Sequence, residues 1–241
     1  MKIRIAILGH LDSTRPARAM IGRALEHSAK SIQATVEYSW TSNSETKAID
    51  ICQVDGIFVG PVSPSEEHDG ILDLIKSARM GKVPCLGTCG GFQRIVTEYA
   101  INELRLENVE HQEINPNAVN PLFSMLDCSL VGLETEEVLR AKTKIREIYR
   151  QETVVETFFC SYGVNPKFIN TLESKGLKVA GHDQRQDVRV LELADHPFFV
   201  GTLFVPQVRS TEKCPHPLIT AFLKASPRRA EQANDRKSGY P

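Results

Sequence analysis

The amino-acid sequence predicts an α/β fold with a mostly parallel central sheet and helices on both faces of that sheet. Segments typical of strands and helices alternate through the first half of the chain, which indicates a parallel sheet. Residues 3–9 form an almost continuous apolar run, as a strand buried on both faces does. A second apolar run, residues 82–86, leads directly into the segment Gly-Thr-Cys-Gly-Gly at residues 87–91.

The other elements of the first half follow from similar patterns. Further strands are predicted over residues 34–40, 56–60 and 83–86. Helices are predicted over residues 15–28, 67–80 and 92–100. The second of these helices ends at Gly81, and Pro84 follows shortly after it.

The second half of the chain is less regular. Residues 115–121 carry two prolines and three asparagines, which predicts a loop. Strands are predicted over residues 129–138, 188–193 and 198–204, and helices over residues 164–176 and 217–225. Residues 141–156 fit a further antiparallel strand, but residues 144–151 fit a short helix equally well. The polar residues 227–241 predict a disordered tail, which leaves residues 1–226 as one domain.

Composition limits the classes of partner. The protein has 241 residues and a formal net charge of −1, which gives no electrostatic reason to expect a nucleic acid or a membrane surface as partner. No apolar stretch approaches the roughly 20 residues that span a bilayer. The N-terminus reads as a first strand rather than a signal peptide, so we expect a cytoplasmic protein.

The six cysteines predict reduced thiols rather than disulfides or a metal site. No two of them have C-x-x-C spacing, and none forms a zinc-type cluster with histidine. We therefore expect no metal and no cofactor. Five of them are expected to be small, buried, apolar residues: Cys52, Cys85, Cys128, Cys160 and Cys214. The sixth, Cys89, is the exception because glycines surround it.

Cys89 stands at the centre of a G-x-C-x-G turn between a predicted strand and a predicted helix. This is the cysteine form of a nucleophile elbow. Glycines allow the sharp bend and leave no side chains beside the thiol. The turn would lift the thiol above the sheet edge, where the N-terminus of the following helix favours a thiolate. The pattern therefore predicts that Cys89 is a catalytic nucleophile.

Several separated motifs resemble one known family. Residues 54–59, 82–100, 162–166, 195–199 and 215–218 resemble the class I glutamine amidotransferase domain of CTP synthase, and they occur in the same order. The resemblance implies a flavodoxin-like fold and a Cys-His-Glu triad that hydrolyses glutamine to glutamate and ammonia. The synthetase domain that precedes this unit in CTP synthase has no counterpart here. We therefore expect that the protein does not make CTP by itself.

The resemblance assigns roles to three residues. Cys89 corresponds to the family's nucleophile, and Gln93 to a glutamine one helical turn later that helps to hold the substrate. Glu113 corresponds to the carboxylate that binds the α-amino group of the substrate. Alternatively, Gln93 and Glu113 are ordinary polar groups of a helix face and of a loop.

The sequence departs from the family where the triad should be completed. The family's last strand ends in Phe-His-Pro-Glu, whereas residues 204–207 read Phe-Val-Pro-Gln. Val205 cannot transfer a proton, and Gln207 cannot stabilise an imidazolium. The triad is therefore degenerate at both positions.

Two further changes fall in the same pocket. The family's oxyanion loop, Pro-Gly-Gly-Phe, reads Gly-Pro-Val-Ser at residues 60–63. Pro61 removes one backbone N–H, so the amides of Val62 and Gly90 remain as the candidate oxyanion hole. The arginine-rich stretch that holds the α-carboxylate of the substrate reads Thr-Phe-Phe-Cys-Ser at residues 157–161.

These changes predict weak or absent glutaminase activity. An amine leaving group needs a proton, and general acid–base help contributes roughly 10²–10⁴-fold to the rate. His196 and His216 belong to motifs that the family carries beside its triad histidine, so we expect structural roles for them. His111, close to Glu113, and His68, after the altered loop, are the candidates for a replacement base.

Three functions remain open, and we favour the first. It is a cysteine hydrolase that acts on the carbon–nitrogen bond in the side group of a small glutamine-like amino acid, for example the nitrile 3-cyanoalanine. Addition of a thiolate to a nitrile releases no amine in that step, and Glu66, Glu67 or a water would protonate the nitrogen.

The second function is a non-catalytic amino-acid-binding or regulatory protein. The third is a conventional glutamine amidotransferase whose base comes from elsewhere in its own sequence or from a partner. Both a homo-oligomer and a separate synthetase partner are compatible with the sequence.

Overall fold

One sheet with helices on its faces forms the centre of the molecule. A computed structural model describes residues 1–42, 45–46, 49–64 and 69–227. The strands are β1 Lys2–Leu8, β2 Thr35–Thr41, β3 Gly56–Val59, β4 Cys85–Thr88, β5 Phe123–Met125, β6 Leu133–Leu139, β7 Thr153–Phe158, β8 Tyr162–Val164, β9 Leu177–His182, β10 Val188–Leu193 and β11 Phe199–Thr202. The helices are α1 Pro16–Ser31, α2 Asp69–Met80, α3 Gly90–Asn102, α4 Lys144–Tyr149, α5 Ile169–Ser174 and α6 Pro217–Ala225.

Nine of the eleven described strands form a mixed sheet in the order β2-β1-β3-β4-β11-β10-β9-β6-β7, and β5 and β8 form a separate two-stranded sheet. The five strands from β2 to β11 are parallel to their neighbours, and the remaining four pair antiparallel. The parallel part has the order second, first, third, fourth, fifth, which is the flavodoxin-like order. The predicted α/β class is therefore confirmed, with an antiparallel extension on one side. In such sheets ligands bind outside the carboxyl ends of the parallel strands.

Strand β1 shows why the sequence has an unbroken apolar run at its start. Ile3, Ile5 and Ile7 pack in the hydrophobic cluster that includes α1 and α6. Ala6 and Leu8 pack in a second cluster, which includes α2. Alternate side chains of a strand point to opposite faces of a sheet, so both faces of this strand need apolar residues.

The structure corrects several element boundaries. The helix predicted over residues 164–176 is instead the end of β8, a 3₁₀ turn over Pro166–Phe168 and the short α5. Asn165 causes this break, because its carboxamide oxygen caps the turn by accepting a hydrogen bond from the amide of Lys167 at 3.1 Å. The two alternatives for residues 141–156 are both partly correct, since α4 is followed by β7. Strands β5, β8 and β9 are additional to the predicted elements.

The six cysteines differ in their exposure to solvent. Cys85, Cys89 and Cys160 are buried, but Cys52, Cys128 and Cys214 are exposed, so the expected burial is wrong for those three. All six are free thiols.

The predicted tail lies, apart from Pro227, outside the described residues. No described helix combines the length and the apolar character needed to cross a bilayer.

Candidate active site

Cys89 lies at a strained turn between β4 and α3. Its backbone angles are φ 52° and ψ −113°, a region that residues with a side chain rarely adopt. The amide of Cys89 donates to the carbonyl of Thr202 at 2.9 Å, which ties the turn to the end of the neighbouring strand β11. The thiol lies 3.8 Å from the carbonyl oxygen of Phe159. The turn thus has the elbow geometry that the glycine pattern predicts.

Two glycines after Cys89 allow the loop after β3 to lie against the start of α3. A Cβ added to Gly90 would overlap the carbonyl oxygen of Val62 and would lie 2.7 Å from the Val62 amide nitrogen. A Cβ added to Gly91 would overlap the carbonyl oxygen of Val59. No side chain fits at either position without moving backbone. The glycine pair therefore seats the loop that carries the candidate oxyanion amide beside Cys89.

A cavity of about 470 Å³ opens above this turn. It lies at the carboxyl ends of the parallel strands, where the topology predicts a ligand. The cavity brings together all the residues predicted to bind or react with a ligand, namely Cys89, Gly90, Val62, Gln93 and Glu113. Its wall also contains two arginines, Arg15 and Arg18, and residues 159–162.

Gln93 and Glu113 are held in the cavity wall by specific contacts. The side-chain amide of Gln93, on α3, donates to the carbonyl of Tyr162 at 3.2 Å. The backbone amide of Glu113 donates to Nδ1 of His111 at 3.2 Å. Burial raises the pKa of the Glu113 carboxyl. His111 therefore orients the loop that carries Glu113.

His111 itself does not face Cys89. It lines a separate small cavity of about 80 Å³ together with Gln93, and its ring stacks on Phe123 with centroids 5.0 Å apart. Burial, with a smaller contribution from the charge of Arg94, lowers the pKa of His111 to about 4. The suggestion that His111 replaces the missing base gains no support from this placement.

The other histidines have structural contacts or lie outside the description. Nε2 of His196 is 3.3 Å from the carbonyl of Ala78, and burial lowers the pKa of His196 to about 4. His216 caps α6 by accepting from the amide of Leu218, and its Nε2 lies 3.0 Å from Glu156. These contacts agree with the structural roles expected for both. His68, Glu66 and Glu67 lie outside the described residues.

The two residues predicted to occupy degenerate triad positions are part of the protein interior. Val205 is fully buried in the hydrophobic core. Gln207, also fully buried, donates its side-chain amide to the carbonyl of Ala17 at 2.7 Å and to the hydroxyl of Thr88 at 3.3 Å. Its Oε1 atom is buried and has no hydrogen-bond partner among the described residues. Gln207 therefore joins the turn after β11 to α1 and to the residue before Cys89.

The arginines of the cavity come from the segment after β1. Arg18 is buried, and its Nε donates to the carbonyl of Pro61 at 2.6 Å while its guanidinium also contacts His10. Arg15 is exposed and pairs with Asp12 at 3.3 Å. The sequence alone does not single out either arginine, because the fold rather than proximity in the sequence brings α1 to Cys89.

Cys160 is a further site residue that the sequence alone does not single out. Its thiol lines the cavity and lies 3.7 Å from the carbonyl oxygen of Leu203. The nearby thiol of Cys89, together with burial, raises the pKa of Cys160 well above the usual thiol range. A signal is present in the sequence, because Cys160 falls in residues 157–161, where the resemblance puts contacts to the substrate.

Within the described part of the protein, no group of three or more His, Cys, Asp or Glu side chains is arranged to hold a metal ion. The cavity wall supplies several reactive or charged side chains. It provides a thiol on a strained turn, a second thiol beside it, one carboxylate and two guanidinium groups.

Comparison with known proteins identifies the family. The family described as "Glutamine amidotransferase class-I" matches residues 18–225. The CTP synthase of Methanopyrus kandleri is 31% identical over 242 residues, which cover 93% of this chain and 45% of that protein. The CTP synthase of Natronomonas pharaonis is 34% identical over 223 residues, which cover 87% of this chain and 40% of that protein. The chain thus spans less than half the length of these relatives.

Solved structures support the same fold. The glutaminase domain of Trypanosoma brucei CTPS, solved with bound acivicin, superposes with a TM-score of 0.84 at 23% identity, and the match covers 93% of each protein. A GMP synthase component from Thermoplasma acidophilum superposes with a TM-score of 0.63 at 14% identity, and this match covers 98% of each protein. From the extent of the family match and the identity to CTP synthases, the chain belongs to the class I glutamine amidotransferase family.

Proposed function

We propose that this protein is a cysteine hydrolase that cleaves the carbon–nitrogen bond in the side group of a small glutamine-like amino acid, with 3-cyanoalanine as the leading candidate. Ordinary glutaminase activity is weak or absent. The observation that carries the proposal is the combination of a strained Cys89 inside the cavity with buried, non-titrating side chains at Val205 and Gln207. The site has the cysteine of the family's triad but lacks a histidine at the position where the resemblance places the base.

Backbone strain at Cys89 favours an enzyme over a binding protein. A side chain at φ 52° and ψ −113° costs of order 1–3 kcal/mol, which glycine would avoid. Folding alone would therefore favour glycine at this position. A cysteine that remains there despite the cost supports a role for its thiol, since strained residues of this kind cluster at active sites.

The charges in the cavity wall suit an α-amino acid. Glu113 can bind an ammonium group, and Arg15 and Arg18 can bind a carboxylate. The two arginines would bind the carboxylate of the substrate, a role that residues 157–161 cannot fill because they contain no arginine. A zwitterion would lie between the two ends, with its side group directed at the thiol of Cys89.

A nitrile matches the chemistry that the site retains. The sulfur of Cys89 would form a C–S bond with the nitrile carbon, one carbon–nitrogen π bond would break, and its electron pair would become a lone pair on nitrogen. Protonation of that nitrogen gives a thioimidate, and no amine leaves in this step. Water then displaces ammonia to give a thioester, and a second water releases the acid and the thiol.

The amides of Val62 and Gly90 are the candidate stabilising donors. Among the described residues, neither amide donates to a backbone carbonyl. Both residues line the cavity beside the thiol. Their amides can therefore donate to the negative nitrogen or oxygen that develops during addition.

The direct test is ammonia release from L-glutamine, L-asparagine and 3-cyanoalanine by the wild type and by Cys89→Ala. We expect release from the nitrile that depends on Cys89, and little release from glutamine. Activity that survives in Cys89→Ala would contradict the proposal. If no substrate reacts, but these amino acids raise the thermal stability of the protein, the protein has a binding or regulatory function instead.

The greater length of the related CTP synthases suggests candidate partners for this protein. They are CTP synthases of about twice the length of this chain. A separate synthetase or a second copy of this protein is thus a candidate partner, and ammonia formed here would be the substrate of that synthetase. Size-exclusion chromatography with light scattering measures whether the protein forms a homo-oligomer.

A further inference from the structure

Two buried arginines from different helices hold the loop after β3, residues 60–64. Arg18, on α1, donates to the carbonyl of Pro61 at 2.6 Å. Arg94, on α3, donates through its guanidinium to the carbonyl of Ser63 at 2.7 Å. The two prolines of the loop have no N–H to donate. Contacts from neighbouring elements therefore help to fix the position of this loop.

The two ends of the loop differ in their other support. The first end continues strand β3, and the amide of Gly60 donates to the carbonyl of Leu8 in β1 at 3.0 Å. This end is therefore attached to the sheet even without Arg18. The second end lies beyond the sheet, and Arg94 ties it to the helix that begins directly after Cys89. Arg94 thus connects the loop to the element that follows the thiol.

Packing alone does not explain an arginine at position 94. The side chain is buried, with 6% of the residue exposed. A buried charge must be compensated by hydrogen bonds, and an apolar residue of similar volume is often at least as stable in its place. Arg94 lines the small cavity beside Phe123 and is not part of the wall of the cavity that contains Cys89. Any effect of Arg94 on the reaction would therefore pass through the loop that it holds.

The amide of Val62 depends on how this loop lies against α3. A Cβ added to Gly90 would lie 2.7 Å from the Val62 amide nitrogen, so the two backbones are in direct contact. The residue after Val62 is Ser63, whose carbonyl Arg94 holds. An oxyanion donor is effective only when it is held at hydrogen-bond distance from the developing charge, and a displacement of about 1 Å weakens it strongly.

We propose that Arg94 is a positioning residue that keeps the amide of Val62 directed into the cavity beside Cys89, through its hydrogen bond to the carbonyl of Ser63. Arg94 is then required for reactions in which the thiol adds to a carbonyl or nitrile carbon. It is not required for reactions that develop no negative charge on such a group. The part played by Arg94 in hydrolysis rests on the proposed function, whereas its hold on the loop does not.

Two reagents separate the oxyanion donor from the thiol itself. Iodoacetamide reacts with Cys89 by direct displacement of iodide, which needs no oxyanion donor. With p-nitrophenyl acetate, the sulfur forms a bond with the carbonyl carbon and the carbonyl oxygen becomes negative. The bond to nitrophenolate then breaks, and nitrophenolate leaves as an anion without taking a proton. Peptide mass spectrometry follows both reactions at Cys89, with the exposed Cys128 as internal reference.

The rate of acylation divided by the rate of alkylation reports the oxyanion donor. In the wild type we expect this ratio to be higher at Cys89 than at Cys128. It should fall about tenfold at Cys89 in Arg94→Met, which keeps the length of the side chain but has no donor. This loss is smaller than the roughly 10²–10³-fold cost of removing a donor outright, because the amide is displaced rather than removed. Arg94→Lys keeps a charged donor and should restore part of the ratio.

Two further variants complete the experiment. Arg94→Gln is too short to reach the carbonyl of Ser63 in the same way, and it provides a second measurement if Arg94→Met does not fold. Arg23→Ala, at an exposed arginine of α1 outside the cavity wall, is the matched control and should behave as the wild type. Circular dichroism confirms that each variant is folded.

Turnover of 3-cyanoalanine tests Arg94 in the proposed reaction. We expect Arg94→Met to lower kcat about tenfold with a small change in KM, because Arg94 is outside the wall of the cavity that contains Cys89.

The outcomes separate this proposal from the proposed function. An unchanged ratio in whichever of Arg94→Met and Arg94→Gln folds would overturn the positioning role. A wild-type ratio no higher at Cys89 than at Cys128 would also overturn it, because the loop would then supply no donor. If the ratio falls as expected but the wild type does not act on the nitrile, the hydrolase function is wrong and the positioning role is correct.

Discussion

Replacement of Gln207 by glutamate would introduce the acid that the family resemblance predicts at this position, and we expect it to destabilise the protein in a pH-dependent way. The side chain of Gln207 is fully buried. Its amide nitrogen donates to the carbonyl of Ala17 at 2.7 Å and to the hydroxyl of Thr88 at 3.3 Å. A glutamate of the same size would place an oxygen where that nitrogen donates.

The protonation state of the new carboxyl determines the magnitude. A neutral carboxyl keeps one O–H donor for Ala17, so at pH 4 Gln207→Glu should lose only about 1 kcal/mol. A carboxylate has no donor, and burial disfavours its charge, so its pKa in the folded state lies above the unfolded value of about 4.3. The folded state then binds more protons than the unfolded state, and stability falls as the pH rises above about 4.3. Each pH unit costs about 1.4 kcal/mol, so the loss approaches about 3–4 kcal/mol by pH 7.

Urea denaturation at pH 4, 5.5 and 7 measures this effect as the difference from the wild type at each pH. Gln207→Leu is the matched control, because it removes the same hydrogen bonds without adding a titrating group. Its loss of stability should be about 1–3 kcal/mol and should not change with pH. If Gln207→Glu is as stable as the wild type at pH 7, the buried hydrogen bonds of Gln207 do not hold this region together, and the reasoning fails.

Four further predictions concern the site and its surroundings. Cys89→Gly should be about 1 kcal/mol more stable than Cys89→Ala in urea denaturation, because only glycine relieves the strain at φ 52°; equal stabilities would exclude such strain. Gly90→Ala should lower the melting temperature and slow alkylation of Cys89, because the new methyl group overlaps the Val62 carbonyl. Arg18→Ala should raise KM for an amino-acid substrate at least about tenfold but should not affect turnover of an analogue without a carboxylate. Burial raises the pKa of Glu137 to about 7, so this group alone costs about 3 kcal/mol as the pH rises from 4.5 to 7, and in urea denaturation the stability of Glu137→Gln relative to the wild type should rise by that amount over the same range.

The parallel half of the sheet was predictable from the sequence, because its strands are short apolar runs between clear helices. Strands β5 and β8 could not be predicted in the same way. Each has three residues, which is too short for an alternating pattern, and they form only when they pair with each other. Strand β9 begins directly after Gly176, which has φ 109°, and its glycine and lysine weaken the strand signal.

The candidate site was predictable only in part. Cys89 has a strong local signal, because glycines surround it. The roles suggested for Gln93 and Glu113 rest on the family resemblance, and the structure brings both to the same cavity. The proximity of Cys160 and Arg18 to Cys89 could not be predicted, because segments distant in the sequence meet there. Phe159, the neighbour of Cys160, is 70 residues from Cys89 in sequence.

Because the loop after β3 packs directly on Gly90 and Gly91, the residues of the Gly-Thr-Cys-Gly-Gly motif are required for different reasons. The two glycines are required by close backbone packing, so a descendant that had lost all chemistry would still need them to fold. The cysteine receives no such protection from packing, since its backbone would be more relaxed as glycine. In a lineage that drifts without selection for catalysis, the centre of the motif would therefore be lost before its flanks. Among homologues of this protein, we therefore expect the residue at position 89 to distinguish catalytic sites from inactive ones.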